Sequence, residues 1–471
     1  MTQVSTRIPN GPSGSALMRQ LRFINWVLNP FEVLDERARR YGKDIFVTAK
    51  NTSPLMVYLC HPKAIEQVLT ANPDFFEVAS ANDVLLPLLG ENSLILLDGM
   101  KHQRQRKLLM PPFHGDRLRT YGRSIGAIAQ QVVSEWKVGE PFRIRAPMQE
   151  ISLRVILSAV FGLHEGDRYD KLRKLLTLLL ESISSPLSSL LLFFPALQKD
   201  WGRLSPWGRF QHLKQQIDQL LIAEIQARRV ETLHATSVHR NDILSLLLEA
   251  RDEAGQPMTD EELRDELLTL LFAGHETTAS ALSWALYWCD RLPEIKNKLL
   301  EELDRLPPDA EPSAIAQLPY LNAVCSETLR LYPIAITPFP RILKVPMEIM
   351  NYQFEPGTIL LLSIYLTHQR EDIYPEPKRF KPERFLERQF SPYEYFPFGG
   401  SNRRCIGAAF ALFEMKLVLA TILSNYELKL VDNRPVKPTR RGLTVAPPAS
   451  MRMVVTQQRT QKTPVSQSAV S

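Results

Sequence analysis

The stretch "FPFGGSNRRCIGAAFA", residues 396–411, sets Cys405 behind a glycine-rich turn and two arginines, and ahead of a run of small residues with the pattern of a helix start. A lone cysteine is most often a small buried hydrophobe. The neighbours of Cys405 point elsewhere. Gly399, Gly400 and Gly407 allow close backbone approach and unusual dihedrals, so the loop can turn amides toward the sulfur and lie against a flat surface. The last helix is expected to start around Cys405. Its N-terminus favours an anion, which predicts a lowered thiol pKa and a thiolate.

No second cysteine or histidine stands nearby. The four cysteines, Cys60, Cys289, Cys325 and Cys405, show neither disulfide pairing nor zinc-type spacing, which points to a reducing compartment with cytoplasm as the default. A single thiolate without companion ligands suits a metal whose other positions are already filled. Haem iron is such a metal, because the porphyrin brings four nitrogens and the protein need add only one strong axial ligand.

The chain has 471 residues, 44% hydrophobic and 23% charged, an ordinary globular balance with material for a large core. The net charge of +6 is mild, and no arginine-rich block with interleaved aromatics indicates nucleic acid. The N-terminus lacks the apolar core of a signal peptide. The longest uncharged stretch, Ser182 to Gln198, is serine-rich, holds Pro186 and Pro195, and is too short for a membrane span, so no transmembrane anchor is expected.

Short strand-like pieces open the chain ("IFVTAK", "LMVYLCH"). A helix-rich middle follows from about Arg117 to Leu331, with apolar residues at three- and four-residue spacing in "IGAIAQQVVSEW" and "HLKQQIDQLLIAEIQARR". Thr259 and Glu262 form a capping-box signature for a helix running to about Leu292, where Pro293 stops it. Another helix should begin at Pro319 and end before Pro333. Strands are expected in "RILKVPMEIM" and "GTILLLSIYLTH". With no repeat, linker or composition break, one domain over 1–457 with a polar, disordered tail over 458–471 is the simplest organisation.

At this point the cysteine loop resembles the haem-binding signature of the cytochrome P-450 family, with Phe398, Arg403, Cys405 and Gly407 at its positions. One position departs: Ser401 stands where the family usually has glycine. A second segment, "AGHETTAS" at 273–280, puts Gly274 and three polar residues in the middle of an otherwise apolar helix, a local cost that suggests a functional gain. In the family this segment bulges beside the iron and leaves room for dioxygen, with Ala273 and Gly274 against the haem. By that resemblance Thr277 holds the reactive oxygen species and a water by hydrogen bonds, and Glu276 relays protons from solvent. His275 is expected to pack or hydrogen-bond rather than ligate iron.

The pair Glu327 and Arg330, spaced i to i+3 in "SETLR", carries little alone. The family builds a buried network from such a pair and a later arginine, here Arg384 in "FKPERF", which positions the cysteine loop. Propionate contacts are implied for His102 and Arg106 in "DGMKHQRQRKLLMPPF", for Arg341 in "PFPRILK", and for Arg403. The resemblance covers nearly the whole chain. It implies a mainly α fold with smaller β-sheets (α+β), a single domain with haem b (iron protoporphyrin IX) between the long central helix and the cysteine-loop helix.

It further implies a haem-thiolate monooxygenase acting on a lipophilic small molecule. Long-chain fatty acids come first and terpenoids or alkanes second, as in bacterial, cyanobacterial-like fatty-acid hydroxylases. Pocket candidates are the region before and including "AGHET", residues Ile336, Thr337, Pro338 and Phe339, and a lid in "SISSPLSSLLLFFPAL". Dioxygen and a separate electron donor, a ferredoxin or flavodoxin with its reductase, are the implied partners, the acidic donor docking near Arg403, Arg404, Arg104 and Lys107. A peroxygenase, an isomerase or a haem sensor is the alternative class, and the Glu276–Thr277 pair argues against each.

Overall fold

A computed structural model of the chain describes residues 8–50, 52–162, 166–184, 198–202, 205–233, 241–307 and 309–459. Seven helices position the site. They are α1 (Gly99–Leu109), α2 (Arg145–Phe161), α3 (Asp260–Arg291), α4 (Pro319–Leu331), the one-turn α5 (Ile364–His368), the short α6 (Arg384–Glu387) and α7 (Ala408–Asn425).

Helix α3 is the axis of the molecule. The Thr259 hydroxyl accepts from Glu262 N at 3.1 Å and the Glu262 carboxylate accepts from Thr259 N at 2.9 Å, so the expected capping box closes. Its 32 residues extend roughly 50 Å, and Leu292 caps it before Pro293. α2 and α7 pack on it, so it is largely buried from Leu263 to Cys289, the exceptions being Arg264, Trp288 and a few residues near its middle. α2 is apolar on nearly every side, as a helix enclosed by others must be, and Gly162 in the left-handed conformation (φ 62°) ends it. α4 starts on Pro319 and stops before Pro333, as expected, and Tyr332 caps it. The stretches "IGAIAQQVVSEW" and "HLKQQIDQLLIAEIQARR" fall in helices Gly122–Ser134 and Pro206–Leu233.

A five-stranded sheet lies to one side, with strands β1 (Ile45–Val47), β2 (Met56–Leu59), β3 (Phe76–Glu77), β4 (Arg341–Leu343) and β5 (Ile359–Leu362) in the order β1-β2-β5-β4-β3. Only β2 and β5 run parallel, and the antiparallel pairing of Arg341 with Leu360 fixes the rim from which Arg341 projects. The main apolar core surrounds α3, and two smaller clusters fill the space around the sheet.

Three boundaries differ from expectation. "GTILLLSIYLTH" is strand only through Leu362; Ser363 then caps α5, its hydroxyl accepting from Leu366 N at 3.2 Å. The last helix begins at Ala408, three residues after Cys405, because Gly407 O is the first carbonyl to accept a helical bond, from Ala411 N at 2.8 Å. The final strand, Arg452–Gln458, runs past residue 457, and Arg459 N bonds Asn425 O at 2.8 Å; residues 460–471 of the expected tail lie outside the described residues. Among the described residues one helix, α7, is long and apolar enough to cross a membrane, with mean hydropathy 1.5. Of that window 61% is buried, and it forms core behind the cysteine loop.

Candidate active site

The cysteine loop is a tight hairpin of backbone bonds. Cys405 N donates to Phe398 O at 2.9 Å and Gly399 N to Phe396 O at 2.9 Å, while Arg404 N closes a one-turn helix, Ser401–Arg403, onto Ser401 O at 3.1 Å. Gly399 has φ 69°, which favours glycine, and a Cβ on Gly400 would meet Leu69 Cδ1 at 2.7 Å, so a side chain there would have to displace Leu69. Ser401 has φ 60°, in the same left-handed region. The departure at Ser401 thus falls on a backbone conformation that favours glycine. Phe398 packs half-buried against the main core.

Cys405 is exposed, whereas Cys60, Cys289 and Cys325 are buried. Its thiol differs from the expected lowered pKa: the protein packed about the sulfur pushes it up, against the Gly407 N–H and the Arg106 and Arg404 guanidiniums, which pull it down. The helix starts too far along the chain for its dipole to dominate. A metal at the sulfur supplies the missing charge, because a coordinating thiol is deprotonated outright.

Beside the sulfur lies a cluster of cations with few anions. His102 is buried, and burial, then Arg403 and Arg106, push its pKa down to about 3, so the imidazole is neutral. Arg341 is buried, its pKa pushed down to about 10 by burial and then by Arg403, and its Nη1 has no hydrogen-bond partner among the described residues. Burial also lowers the pKa of Arg106. Arg403 differs from expectation: its guanidinium bonds Asp98, Leu94 O (3.2 Å) and Leu97 O, pinning the entrance of α1 to the cysteine loop. Its hydrogen bonds therefore go to protein, and what it offers a propionate is mainly positive potential. Uncompensated buried cations of this kind are costly unless an anion joins them. Two propionates fit that requirement. Among the described residues no cluster of three His, Cys, Asp or Glu side chains could hold a bare metal ion.

Between its ends helix α3 is accessible near its middle: Ala273 is exposed, and Phe272, Gly274, Glu276 and Thr277 are half-buried. The helix stays α-helical throughout, and no bulge of another helix class appears where one was expected. Side chains instead load its carbonyls. Thr277 Oγ1 donates to Ala273 O at 2.7 Å, while Thr278 Oγ1 and Ser152 Oγ both donate to Gly274 O, at 3.2 and 3.3 Å. A Cβ on Gly274 would meet Ile156 Cδ1 at 3.0 Å, so the glycine lets α2 approach. Glu276 is clamped by Arg145 and by Gln149 Nε2 (2.8 Å), both on α2, with Arg441 Nε at 3.6 Å. Burial holds the Arg145 pKa down at about 10. His275 is buried against α2, its pKa pushed down to about 4 by burial, as its packing role requires.

Glu327, Arg330 and Arg384 meet in one buried network. Arg330 Nε and Nη2 donate to the two Glu327 oxygens at 2.6 and 2.9 Å, and Arg384 Nε and Lys381 N add bonds to Oε1 at 3.2 and 2.8 Å. Arg330 also reaches His368 O (2.7 Å) and Pro377 O (2.8 Å), and its guanidinium lies 5.1 Å over the Tyr374 ring.

The pocket candidates divide. Pro338 touches the cysteine loop, 3.4 Å from where a Gly399 Cβ would be, and Thr337 and Phe339 are half-buried. Ile336 instead packs into the cluster of Phe31, Phe46 and Tyr365 beside the sheet, because Tyr365 N holds its carbonyl at 3.3 Å and turns the side chain to the core. Residues 185–197 of the expected lid lie outside the described residues. On the proposed docking face Arg404 is exposed, but Arg104 is committed to Asp252 (2.6 Å) and Glu262 (2.8 Å), and Lys107 to Glu253 (2.6 Å).

Sequence reasoning missed Arg145, Gln149, Asp98, His368 and Glu414. Glu414 had a signal, as an acid in the apolar run of α7; it is buried, and burial pushes its pKa up to about 8.

A thiol-bearing loop, a surplus of buried cations around it and a central helix opened at Ala273 and Thr277 define a haem-thiolate oxygenase site. The comparisons agree. The chain matches the family described as Cytochrome P450 over residues 9–454. It is 36% identical over 444 residues to cytochrome P450 135B1 of Mycobacterium tuberculosis, covering 94% of this chain and 91% of that protein. It is 32% identical over 449 residues to cytochrome P450 138 of the same organism, covering 95% and 96%. Among solved structures, retinoic acid-bound cyanobacterial CYP120A1 superimposes with TM-score 0.81 at 25% identity over 97% of this chain and 100% of that one. The cytochrome P450DA heme domain, at 22% identity and TM-score 0.82, shows the fold alone.

The chain belongs to the cytochrome P450 family. It is a cytochrome P450 monooxygenase, with haem b bound through a cysteine thiolate as its cofactor and dioxygen and a separate redox partner as its co-reactants.

Proposed function

We propose that Cys405 is the thiolate ligand and that the enzyme hydroxylates a lipophilic small molecule, a long-chain fatty acid first. The observation that carries the ligand is the cluster of three arginines, Arg106, Arg341 and Arg403, with the neutral imidazole of His102, beside the exposed thiol. His102, Arg106 and Arg341 hold the propionates, with Arg403 adding charge while it ties the loop to Asp98. The bound haem supplies dioxygen activation, one oxygen atom going to the substrate and the other to water, with the thiolate favouring O–O cleavage.

The chain itself manages protons, water and position. Thr277 Oγ1 would exchange its Ala273 O bond for one to a water in the pocket and pass on a proton. Glu276 relays protons after releasing Gln149, while Arg145 keeps its second oxygen in place; the Arg441 side supplies its route to solvent. Glu327, Arg330 and Arg384 fix the loop without touching substrate. These parts act in one haem domain spanning the described chain.

The apolar side chains left partly accessible beside the site, Phe272 and Ala273 on α3 with Pro338 and Phe339, support a lipophilic substrate. The retinoic acid in CYP120A1, an isoprenoid acid, favours a terpenoid acid as the second reading. Titration of the ferric protein with fatty acids and with terpenoid acids separates them: low-spin to high-spin conversion by fatty acids supports the first, and conversion by terpenoid acids alone rejects it. An acidic ferredoxin or flavodoxin docks by the exposed Arg404, and turnover independent of ionic strength would rule this out.

A further inference from the structure

His368 ends the one-turn helix α5, and its whole side chain is buried. Its two ends face different structures. The backbone carbonyl accepts from Arg330 Nη1 at 2.7 Å, at the heart of the Glu327 network. Its imidazole Nε2 accepts from the backbone N–H of Phe396 at 3.1 Å, at the first residue of the cysteine loop. From there Phe396 O receives Gly399 N, and Phe398 O receives the amide of Cys405, each at 2.9 Å. Hydrogen bonds, joined through the covalent frames of His368 and Phe396, thus lead from the Glu327 carboxylate to the amide of the cysteine.

The ring is held as well as bonded. It stacks on Tyr395 at 5.3 Å with 22° between planes, and meets Tyr374 and Phe396 edge-on at 6.2 and 5.6 Å. Tyr395 Oη in turn donates to Ser326 O on α4 at 3.1 Å. Acceptance at Nε2 assigns the proton to Nδ1, and Nδ1 has no acceptor among the described residues. A purely space-filling position would carry an apolar ring and avoid that cost; an acceptor at this depth is explained by the Phe396 amide it serves.

We propose that His368 is the positioning residue through which the Glu327–Arg330–Arg384 network sets the place of the cysteine loop, acting by the Nε2 bond to Phe396. Burial and the Arg330 charge push its pKa down to about 3, so the acceptor is present throughout the working pH range. The proposal rests on Cys405 being the thiolate ligand.

The test uses the haem-loaded protein and three variants: H368Q, which returns an acceptor near Nε2; H368F, which keeps the ring and removes it; and T367V. The last deletes a buried bond from the neighbouring residue, Thr367 Oγ1 to Cys60 O at 3.0 Å, that does not serve the loop. The readout is the share of thiol-ligated haem in the reduced carbon monoxide complex, with thermal stability recorded alongside. H368F should raise that share about five-fold, as expected for a stranded buried N–H, and H368Q should return it toward wild type. T367V should lose stability at the wild-type share. Equal shares in H368F and wild type, or H368Q failing as fully as H368F, would overturn the role.

A wild type without the red-shifted Soret band of thiolate ligation would instead reject Cys405 as ligand. Should H368F not load haem, amide exchange in the loaded wild type decides: the Phe396 amide is expected among the slowly exchanging set, and exchange at the rate of an open loop refutes the bond.

Discussion

The serine at 401 gives the most specific test of how sequence and backbone meet in the cysteine loop. Its φ of 60° places a residue with a Cβ in the left-handed region, one turn before Cys405. That conformation costs an L-residue about 1–2 kcal/mol, and glycine occupies it freely. Glycine also gives the unfolded chain more freedom, which takes back about 0.5–1 kcal/mol. S401G should therefore stabilise the closed loop by about 0.5–1 kcal/mol, or about two- to five-fold in its opening equilibrium. The Ser401 hydroxyl makes no side-chain hydrogen bond among the described residues, so S401A, which keeps the Cβ, should match wild type.

The magnitude also selects the assay. For 471 residues the entropy of unfolding near the midpoint is roughly 1 kcal/mol/K, so this gain moves the global Tm by about 1 °C or less. The conversion of thiolate-ligated to thiol-ligated carbon monoxide complex with rising urea reports the loop alone. S401G should shift its midpoint upward. A midpoint unchanged or lowered in S401G, or lowered in S401A, would refute the strain argument and assign the serine hydroxyl a role at the thiolate.

Three further outcomes follow from the same geometry. E327Q or R330K strands part of a fully buried ion network, at a cost of about 3–5 kcal/mol, and should yield protein that loads haem poorly; normal loading and unfolding in urea would contradict the network's role. T277A should leave stability unchanged, because among the described residues Thr277 Oγ1 bonds only its own helix at Ala273 O, yet turn reducing equivalents into peroxide instead of product; unchanged coupling would remove Thr277 from proton handling. E414Q should flatten the pH dependence of stability. The Glu414 carboxyl rises from 4.5 to about 8 on folding, so the folded state keeps a proton the unfolded chain releases. Its contribution is fully present below pH 4.5 and is lost as pH climbs to about 8, at about 1.4 kcal/mol per pH unit within that window. Comparison above pH 6.5 avoids the buried His275 and His368, whose lowered pKa values act in the opposite sense and only below that value; equal slopes for wild type and E414Q would count against a protonated Glu414.

What the sequence revealed was local. The Thr259–Glu262 box, the prolines bounding α4 and the glycines of the cysteine loop each state their structure within a few residues, and each appears as read. The thiol pKa went wrong because a dipole argument depends on where the helix begins; with the start three residues on, desolvation by the protein packed about the sulfur outweighs the Gly407 N–H and the Arg106 and Arg404 charges, although the residue is exposed on its open side. Glu276 shows the other kind of limit. Its segment was legible as a costly polar patch, but the partners that stabilise it, Arg145 and Gln149, lie 131 and 127 residues away and are chosen by the packing of α2 on α3.

That packing changes what Glu276 can do. A free carboxylate on a helix face would relay protons by moving; one held by a buried guanidinium relays only as far as its second oxygen can turn, and the oxygen held by the uncharged Gln149 is the one that can. Replacing Gln149 by leucine should then leave the Arg145 bond and the fold intact, free that oxygen, and speed the proton-dependent part of turnover measured as a solvent isotope effect. Slower turnover with a larger isotope effect would show that Gln149 carries the proton rather than restrains it.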